Sequence, residues 1–139
     1  MPVPKLPSEI LRSKYEAINR RDVETILDVL HPELLVLDSS RPDPTSEDGL
    51  WHGKEGGGRF LLDWAESFDD TQYEPVEMTS VGEVVLAEVV VRGRGRGSGI
   101  LVENRRFHVA TFRDDKVIRF EVYADREEAE SAVRRAAGS

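Results

Sequence analysis

The sequence predicts an α+β domain in which three N-terminal helices pack on one face of a curved antiparallel sheet and a short helix ends the chain. Three observations support this fold class. Apolar residues recur with the 3.6-residue helical period as far as Phe68. Beyond Asp70 the period changes to two, which is typical of strands. Four such segments follow one another, and sequential strands favour an antiparallel meander.

The composition is that of a single globular domain. The chain has 139 residues, of which 39% are hydrophobic, so we treat 1–139 as one domain and 1–7, with its three prolines, as an extended arm. No apolar run could span a membrane and no signal peptide is evident, so we expect a cytoplasmic protein without membrane contacts. The chain lacks cysteine, which excludes disulfides and thiolate metal sites.

Two helices are predicted near the N-terminus. Ser8 is the expected N-cap of a helix over 8–20, one face of which is apolar. Asp22 is the expected N-cap of a second helix. Its apolar stripe runs as far as Leu30, and Pro32 ends it.

A strand and a long loop separate the second helix from the third. The apolar run Leu34–Asp38 predicts a short buried strand. Turn-forming residues fill 39–49, and Trp51 and His52 close this loop, whose length is typical of functional or mobile segments. The third helix is predicted over 54–68, although three consecutive glycines weaken its first turn.

The second half of the chain reads as strands with short turns. Gly82 and the Asp114-Asp115 pair stand where tight hairpin turns are needed. Asp125 and Glu128 form a capping box that starts the last helix. The predicted elements are strands over 72–81, 83–93, 99–113 and 116–123 and a helix over 126–136.

Neither face of the predicted sheet is cleanly polar, so both faces should be covered. Along the second of the four strands the odd positions are all small and apolar, and no helix remains to cover them: Val85, Ala87, Val89 and Val91. We therefore expect a homodimer with these residues at or near the interface. The alternative is a monomer with an adhesive sheet face.

Four segments of the chain match those of a known family: YEAINRRDVETILDVLHPELLVLD (15–38), GKEGGGRFLLDW (53–64), RGRGSGILVE (94–103) and HVATFRDDKVIRFEVYAD (108–125). With them the chain resembles SnoaL-like proteins of the nuclear transport factor 2-like and ketosteroid isomerase superfamily. The resemblance implies a cone-shaped α+β barrel with a pocket between helices and sheet, and a dimer formed through the outer face of the sheet. The fold hosts isomerases, cyclases, hydratases and many proteins that are not enzymes.

The resemblance also implies three catalytic candidates. Tyr15 falls on the family's oxyanion-stabilising tyrosine, and Asp38 on its general base. His108 stands where the family has a protonated acid, a departure that still leaves a hydrogen-bond donor. Each residue also has a structural interpretation: Tyr15 as a half-buried aromatic, Asp38 as a turn cap and His108 as a satisfied strand histidine.

Six further residues are candidates for binding a substrate: Trp51, Trp64, Phe68, Glu88, Phe112 and Phe120. An aromatic stripe at helical spacing is more often part of a core than of a ligand site. Glu88 could instead form a charge pair with Arg92 at the rim of the sheet. We expect Tyr15, Asp38, Trp64, His108 and Phe120 to line one cavity.

Other functional classes are excluded or weakly supported. The three histidines lack metal-ligand spacing, and neither a phosphate-binding loop nor a GxSxG motif is present. RGRGRGSG (92–99) resembles an arginine-glycine nucleic-acid segment, but it lacks interleaved aromatics and the net charge of the chain is −8. We therefore expect no metal, no cofactor and no nucleic acid.

Two functional hypotheses remain. The first is an enzyme that isomerises, cyclises or hydrates a small apolar molecule carrying a carbonyl group. In it Asp38 moves the proton, and Tyr15 and His108 stabilise negative charge on oxygen. The second is a non-catalytic ligand-binding or dimerisation module that uses the same pocket.

Overall fold

The computed structural model describes residues 6–39, 50–95 and 97–138, and for residues 61–69 it describes the backbone only. The elements are α1 (Pro7–Arg20), α2 (Val23–Asp28), β1 (Leu30–Asp38), β2 (Leu50–His52), α3 (Gly53–Ser67), β3 (Phe68–Val81), β4 (Val84–Gly95), β5 (Leu101–Arg113), β6 (Lys116–Tyr123) and α4 (Arg126–Ala137). This order confirms the α+β prediction. None of the described helices combines the length and the apolar character that crossing a membrane requires.

The six strands form one sheet in the order β2-β1-β6-β5-β4-β3. Strands β3 to β6 are the predicted antiparallel meander. Asp114 and Asp115 form the predicted tight turn between β5 and β6, both with positive φ, as the turns that suit twisted hairpins require. Strand β1 departs from the antiparallel pattern, because it lies parallel to β6 while β2 pairs with its other edge.

The first helix begins earlier than predicted. Pro7 is its first residue, and the N-cap is Leu6, whose side chain makes no capping hydrogen bond. The prediction of Ser8 as N-cap was wrong, because proline lacks an N–H and has a helical φ, which suits the first position of a helix. The arm therefore ends before Pro7, and residues 1–5 lie outside the described part.

The second helix is shorter than its apolar pattern suggested. Asp22 is the N-cap as predicted, and its carboxylate accepts a hydrogen bond of 3.2 Å from the backbone N–H of Thr25. The helix ends at Asp28, and Leu30 belongs to β1 rather than to the helix. Leu30 pairs with Val117 of β6, so pairing in the sheet overrides the local helical pattern.

Strand β2 and the start of α3 lie close together. Trp51 belongs to β2 and not to the predicted loop, because a three-residue strand is too short to show a period of two in the sequence. A Cβ atom at Gly56 would lie 2.9 Å from the backbone carbonyl carbon of Trp51. Glycine at this position therefore allows α3 to pack directly against β2.

The inner face of the sheet packs against α1, α2 and α3. The odd-numbered residues of β4 lie in this core, so their assignment to a dimer interface was wrong: Val85, Ala87, Val89 and Val91. The physical reason is that both sides of β4 are apolar, and α4 covers part of the opposite side. Homodimerisation through the outer face stays a prediction, but the four residues of β4 no longer provide an argument for it.

Candidate functional site

Strand pairing brings Asp38 and His108 to the inner face in one row. Val122 of β6 pairs with Asp38 on one side and with His108 on the other. Two strand spacings put the Cα atoms of Asp38 and His108 roughly 10 Å apart. Each side chain is 4% exposed, so a carboxyl group and an imidazole are buried on one face, as the acid/base hypothesis requires.

The phenol of Tyr15 joins this row from α1. Its hydroxyl lies 2.6 Å from Nδ1 of His108, and both residues are buried. The Tyr15 ring also stacks on Tyr73 of β3, with centroids 6.2 Å apart. Asn19 holds the two elements together, because its amide exchanges hydrogen bonds of 2.8 and 2.9 Å with the backbone of Tyr73.

Burial sets the protonation states of this pair. Desolvation, together with the nearby Tyr73 hydroxyl, raises the pKa of Tyr15 well above its usual value. Desolvation and the positive charges of Lys14 and Arg106 lower the pKa of His108 well below its usual value. At neutral pH the phenol is protonated and the imidazole is neutral, so one proton forms the hydrogen bond and another is available to a ligand.

A cavity lies between α1, α3 and the inner face, beside the Tyr15 and His108 pair. The cavity is narrow, with a volume of about 10 Å³. A molecule much larger than water therefore enters only if the walls part. The lining residues are Lys14, Tyr15, Ile18, Phe60, Tyr73, Val91, Arg106, His108, Phe120 and Val122.

Lys14 is the functional candidate that the sequence analysis missed. It is 4% exposed, and its Nζ lies 3.6 Å from the centroid of the Phe120 ring. Burial lowers the pKa of Lys14 to about 7. A signal was present in the sequence, since Lys14 falls on the same face of α1 as the apolar residues Leu11, Tyr15 and Ile18.

The predicted binding residues separate into several groups. Phe120 lines the cavity, beside the edge of the His108 ring. Trp51 is buried and packs edge-on against Phe60, which lines the cavity, with centroids 5.1 Å apart. Phe112 lies in the core and is not among the lining residues. The side chains of two others, Trp64 and Phe68, lie outside the described residues.

Glu88 lies on the outer face, and its predicted place in the pocket was wrong. Its backbone pairs with that of Phe107, which belongs to the outer cluster against α4. The Glu88 carboxylate accepts hydrogen bonds from Arg105 and Arg126, so it ties α4 to the sheet. Glu88 does not pair with Arg92, which was the alternative prediction. Arg92 instead pairs with Glu74 of β3 and Glu103 of β5.

Asp38 is also not among the residues that line the cavity. It borders the cavity through Val122, its neighbour in the row. Among residues 6–39, 50–95 and 97–138 there is no group of three side chains suited to hold a metal ion. Of the side chains that the structure describes, those whose polar groups a ligand in this cavity would meet are Lys14, Tyr15, Tyr73, Arg106 and His108.

The fold and this site can be compared with known proteins. The sequence profile of the SnoaL-like domain matches residues 11–120. The chain therefore belongs to the SnoaL-like family, as the resemblance indicated. Among proteins with curated descriptions none matches the sequence.

Solved structures show the same fold. IdmH, a proposed polyketide cyclase from Streptomyces antibioticus, is 20% identical over 93% of this chain and 98% of its own, with a TM-score of 0.77. An NTF2-like protein of unknown function from Burkholderia pseudomallei is 22% identical over 98% of this chain and all of its own, with a TM-score of 0.73. TerC, crystallised with polyporic acid, is 23% identical over 96% and 98%, with a TM-score of 0.71.

Proposed function

We propose that the protein catalyses cofactor-free acid/base chemistry, an isomerisation, cyclisation or hydration, on a small apolar molecule that carries a carbonyl group. The observation behind this proposal is the hydrogen-bonded pair of Tyr15 and His108, neutral and buried beside an apolar cavity. Asp38 lies on the same face and is the one carboxylate of the row.

The chemistry would divide between these groups. Removing a proton from the carbon next to a carbonyl leaves negative charge on the carbonyl oxygen. The hydrogen of the Tyr15 and His108 pair that is not used in their own hydrogen bond can be donated to that oxygen. Because the surroundings exclude water, this hydrogen bond is stronger than it would be in solvent. Asp38 takes the proton and returns it at another position, which needs no cofactor.

Two of the similar structures bear on this proposal. IdmH from Streptomyces antibioticus and a protein from Sinorhizobium meliloti are both described as proposed polyketide cyclases. TerC was crystallised with polyporic acid. These proteins share the fold with this chain, and the chemistry named for them supports a carbonyl compound as the ligand class.

A second candidate function is binding without catalysis, and one observation favours it. Asp38, the general base of the enzyme hypothesis, does not line the cavity. If the protein only binds, Asp38→Asn changes affinity modestly and there is no turnover to lose.

Hydrogen exchange tests the proposed function without knowledge of the natural substrate. A panel of apolar cyclic ketones is incubated in D₂O, and exchange next to the carbonyl is followed by NMR. We expect the wild type to accelerate exchange of at least one ketone, and Asp38→Asn to abolish the acceleration. Equal exchange with and without protein across the panel would contradict the enzyme hypothesis and favour the binding module.

A further inference from the structure

We propose that Lys14 is an amine nucleophile that forms an imine with an aldehyde or ketone bound in the cavity. This inference shares with the proposed function the carbonyl group of the ligand, and it narrows the ligand to carbonyl compounds that condense with an amine. It does not depend on proton transfer by Asp38.

The position of the amine supports this role. Lys14 is almost fully buried and lines the cavity together with Tyr15 and His108. Its Nζ sits over the face of Phe120, 3.6 Å from the ring centroid and 5.8 Å from the centroid of the Tyr15 ring. A carbonyl compound in the cavity would therefore meet the amine and the hydrogen-bond donor pair in one place.

Among the described residues, no carboxylate lines the cavity beside Lys14. The other titratable groups of the cavity wall are Tyr15 from α1, Tyr73 from β3, and Arg106 and His108 from β5. None of these described groups is a carboxylate that would stabilise an ammonium ion. An aromatic face gives a cation some stabilisation, but much less than the water it replaces.

A neutral amine is the reactive form, and burial supplies it. With a pKa of about 7, roughly half of Lys14 is neutral at pH 7. A lysine of ordinary pKa is neutral in only about one molecule in 2,500 at that pH. Desolvation in an apolar pocket is an established way of activating a lysine amine.

The condensation proceeds through a tetrahedral intermediate. The Nζ lone pair attacks the carbonyl carbon, which forms a C–N bond and breaks the C=O π bond. The oxygen takes a proton from the Tyr15 and His108 pair and the nitrogen returns one to it, which gives a carbinolamine. A second proton from the pair converts the hydroxyl group into water, whose departure breaks the C–O bond as the nitrogen lone pair forms the C=N bond. The nitrogen then returns its second proton to the pair. The products are the imine and one water molecule, and addition of water reverses the sequence.

The imine would change what the site can do. A protonated imine withdraws electrons from the adjacent carbon more strongly than the parent carbonyl group does. It therefore makes a proton on that carbon easier to remove. The narrow cavity suits this purpose, since excluding water slows hydrolysis of the imine.

Reductive trapping with acetaldehyde and cyanoborohydride tests the inference. The chain has four lysines, and peptide mapping by mass spectrometry gives the rate of ethylation at each one. At pH 7 we expect Lys14 to react at least about tenfold faster than Lys54 and Lys116, which lie outside the cavity. The rate at Lys14 should level off above about pH 8, while the rates at Lys54 and Lys116 keep rising to pH 9.

Two variants complete the experiment. Lys14→Met should lose only the fast component, and Lys54→Arg, a change at a lysine outside the cavity, should keep it in full. Fast labelling of Lys14 without accelerated hydrogen exchange of any ketone would refute the proposed function and support the imine. Exchange without fast labelling of Lys14 would overturn the imine and leave the proposed function standing. Labelling of Lys14 no faster than that of Lys54 and Lys116 in the wild type would likewise overturn it.

Discussion

The hydroxyl of Tyr15 and Nδ1 of His108 lie 2.6 Å apart, although 93 positions separate the two residues in the chain. The hydrogen bond connects α1 to β5 inside the core, so it contributes to stability as well as to the site. A buried donor or acceptor that loses its partner destabilises a protein by about 1–3 kcal/mol.

The Tyr15 and His108 hydrogen bond can be measured with a double-mutant cycle. We expect Tyr15→Phe and His108→Phe each to lower the free energy of unfolding in urea by about 1–3 kcal/mol at pH 7, because each leaves a buried polar group without its partner. The double variant should lose clearly less than the sum of the two. Strictly additive losses would show that the two groups are not coupled.

Asp38 and Glu121 are both buried carboxylates, so Glu121 provides a control for substitutions of Asp38. They are 4% and 3% exposed, at neighbouring row positions on β1 and β6, but their side chains lie on opposite faces. We expect Asp38→Asn to reduce any turnover by about 100-fold or more, the usual contribution of a general base. Glu121→Gln, which weakens the hydrogen bond from the Tyr123 hydroxyl and removes the ion pair with Arg119, should leave turnover unchanged. Equal effects of the two substitutions would remove Asp38 from the mechanism.

Lys14 makes stability depend on pH in a defined direction. Its pKa falls to about 7 in the folded state, so between pH 7 and about 10 the unfolded chain binds more protons than the folded one. Stability is therefore lost as the pH falls through this window. We expect Lys14→Met to have a higher free energy of unfolding than the wild type at pH 7. This difference between the two proteins should decrease by about 2–3 kcal/mol from pH 7 to pH 9. Parallel curves for the two proteins would show that Lys14 is solvated.

The glycines of α3 differ in what surrounds them. A Cβ at Gly56 would meet the Trp51 backbone at 2.9 Å, whereas a Cβ at Gly58 would have nothing within 4 Å. We expect Gly58→Ala to raise the free energy of unfolding by about 0.5–1 kcal/mol through helix propensity. Gly56→Ala should lower it by about 1–3 kcal/mol through overpacking. Thermal and urea unfolding of both variants measures the difference, and a stabilising Gly56→Ala would refute the close contact between α3 and β2.

The strands from β4 onward and α4 could be predicted because their signals are local. A period of two, the Asp114-Asp115 turn and the Asp125 cap need no knowledge of distant residues. The end of α2 could not be predicted, because Leu30 leaves the helical pattern only to pair with β6. The apolar face of β4 was assigned to a partner for a similar reason: both sides of the strand are apolar, and nothing local tells which one the helices cover.

The candidate site was predictable in outline and incomplete in detail. Parity and the family resemblance placed Asp38, His108 and Phe120 on one face, where the structure has them. Lys14 was overlooked because a charged residue on an apolar helix face is usually taken to extend to solvent. Its burial follows from the packing of α1 on the sheet, which a single-sequence pattern does not contain.

The protonation state of His108 tests the account most directly, because a neutral donor pair beside the cavity is its basis. The measurement is ¹⁵N NMR of the His108 ring between pH 7.5 and 5.5, assigned with His108→Phe. We expect one protonated and one unprotonated ring nitrogen throughout, since desolvation and the charges of Lys14 and Arg106 hold its pKa well below the usual value. Protonation of both nitrogens by pH 6 would contradict the account, because an imidazolium could not accept the hydrogen of Tyr15 and no neutral pair would face a ligand.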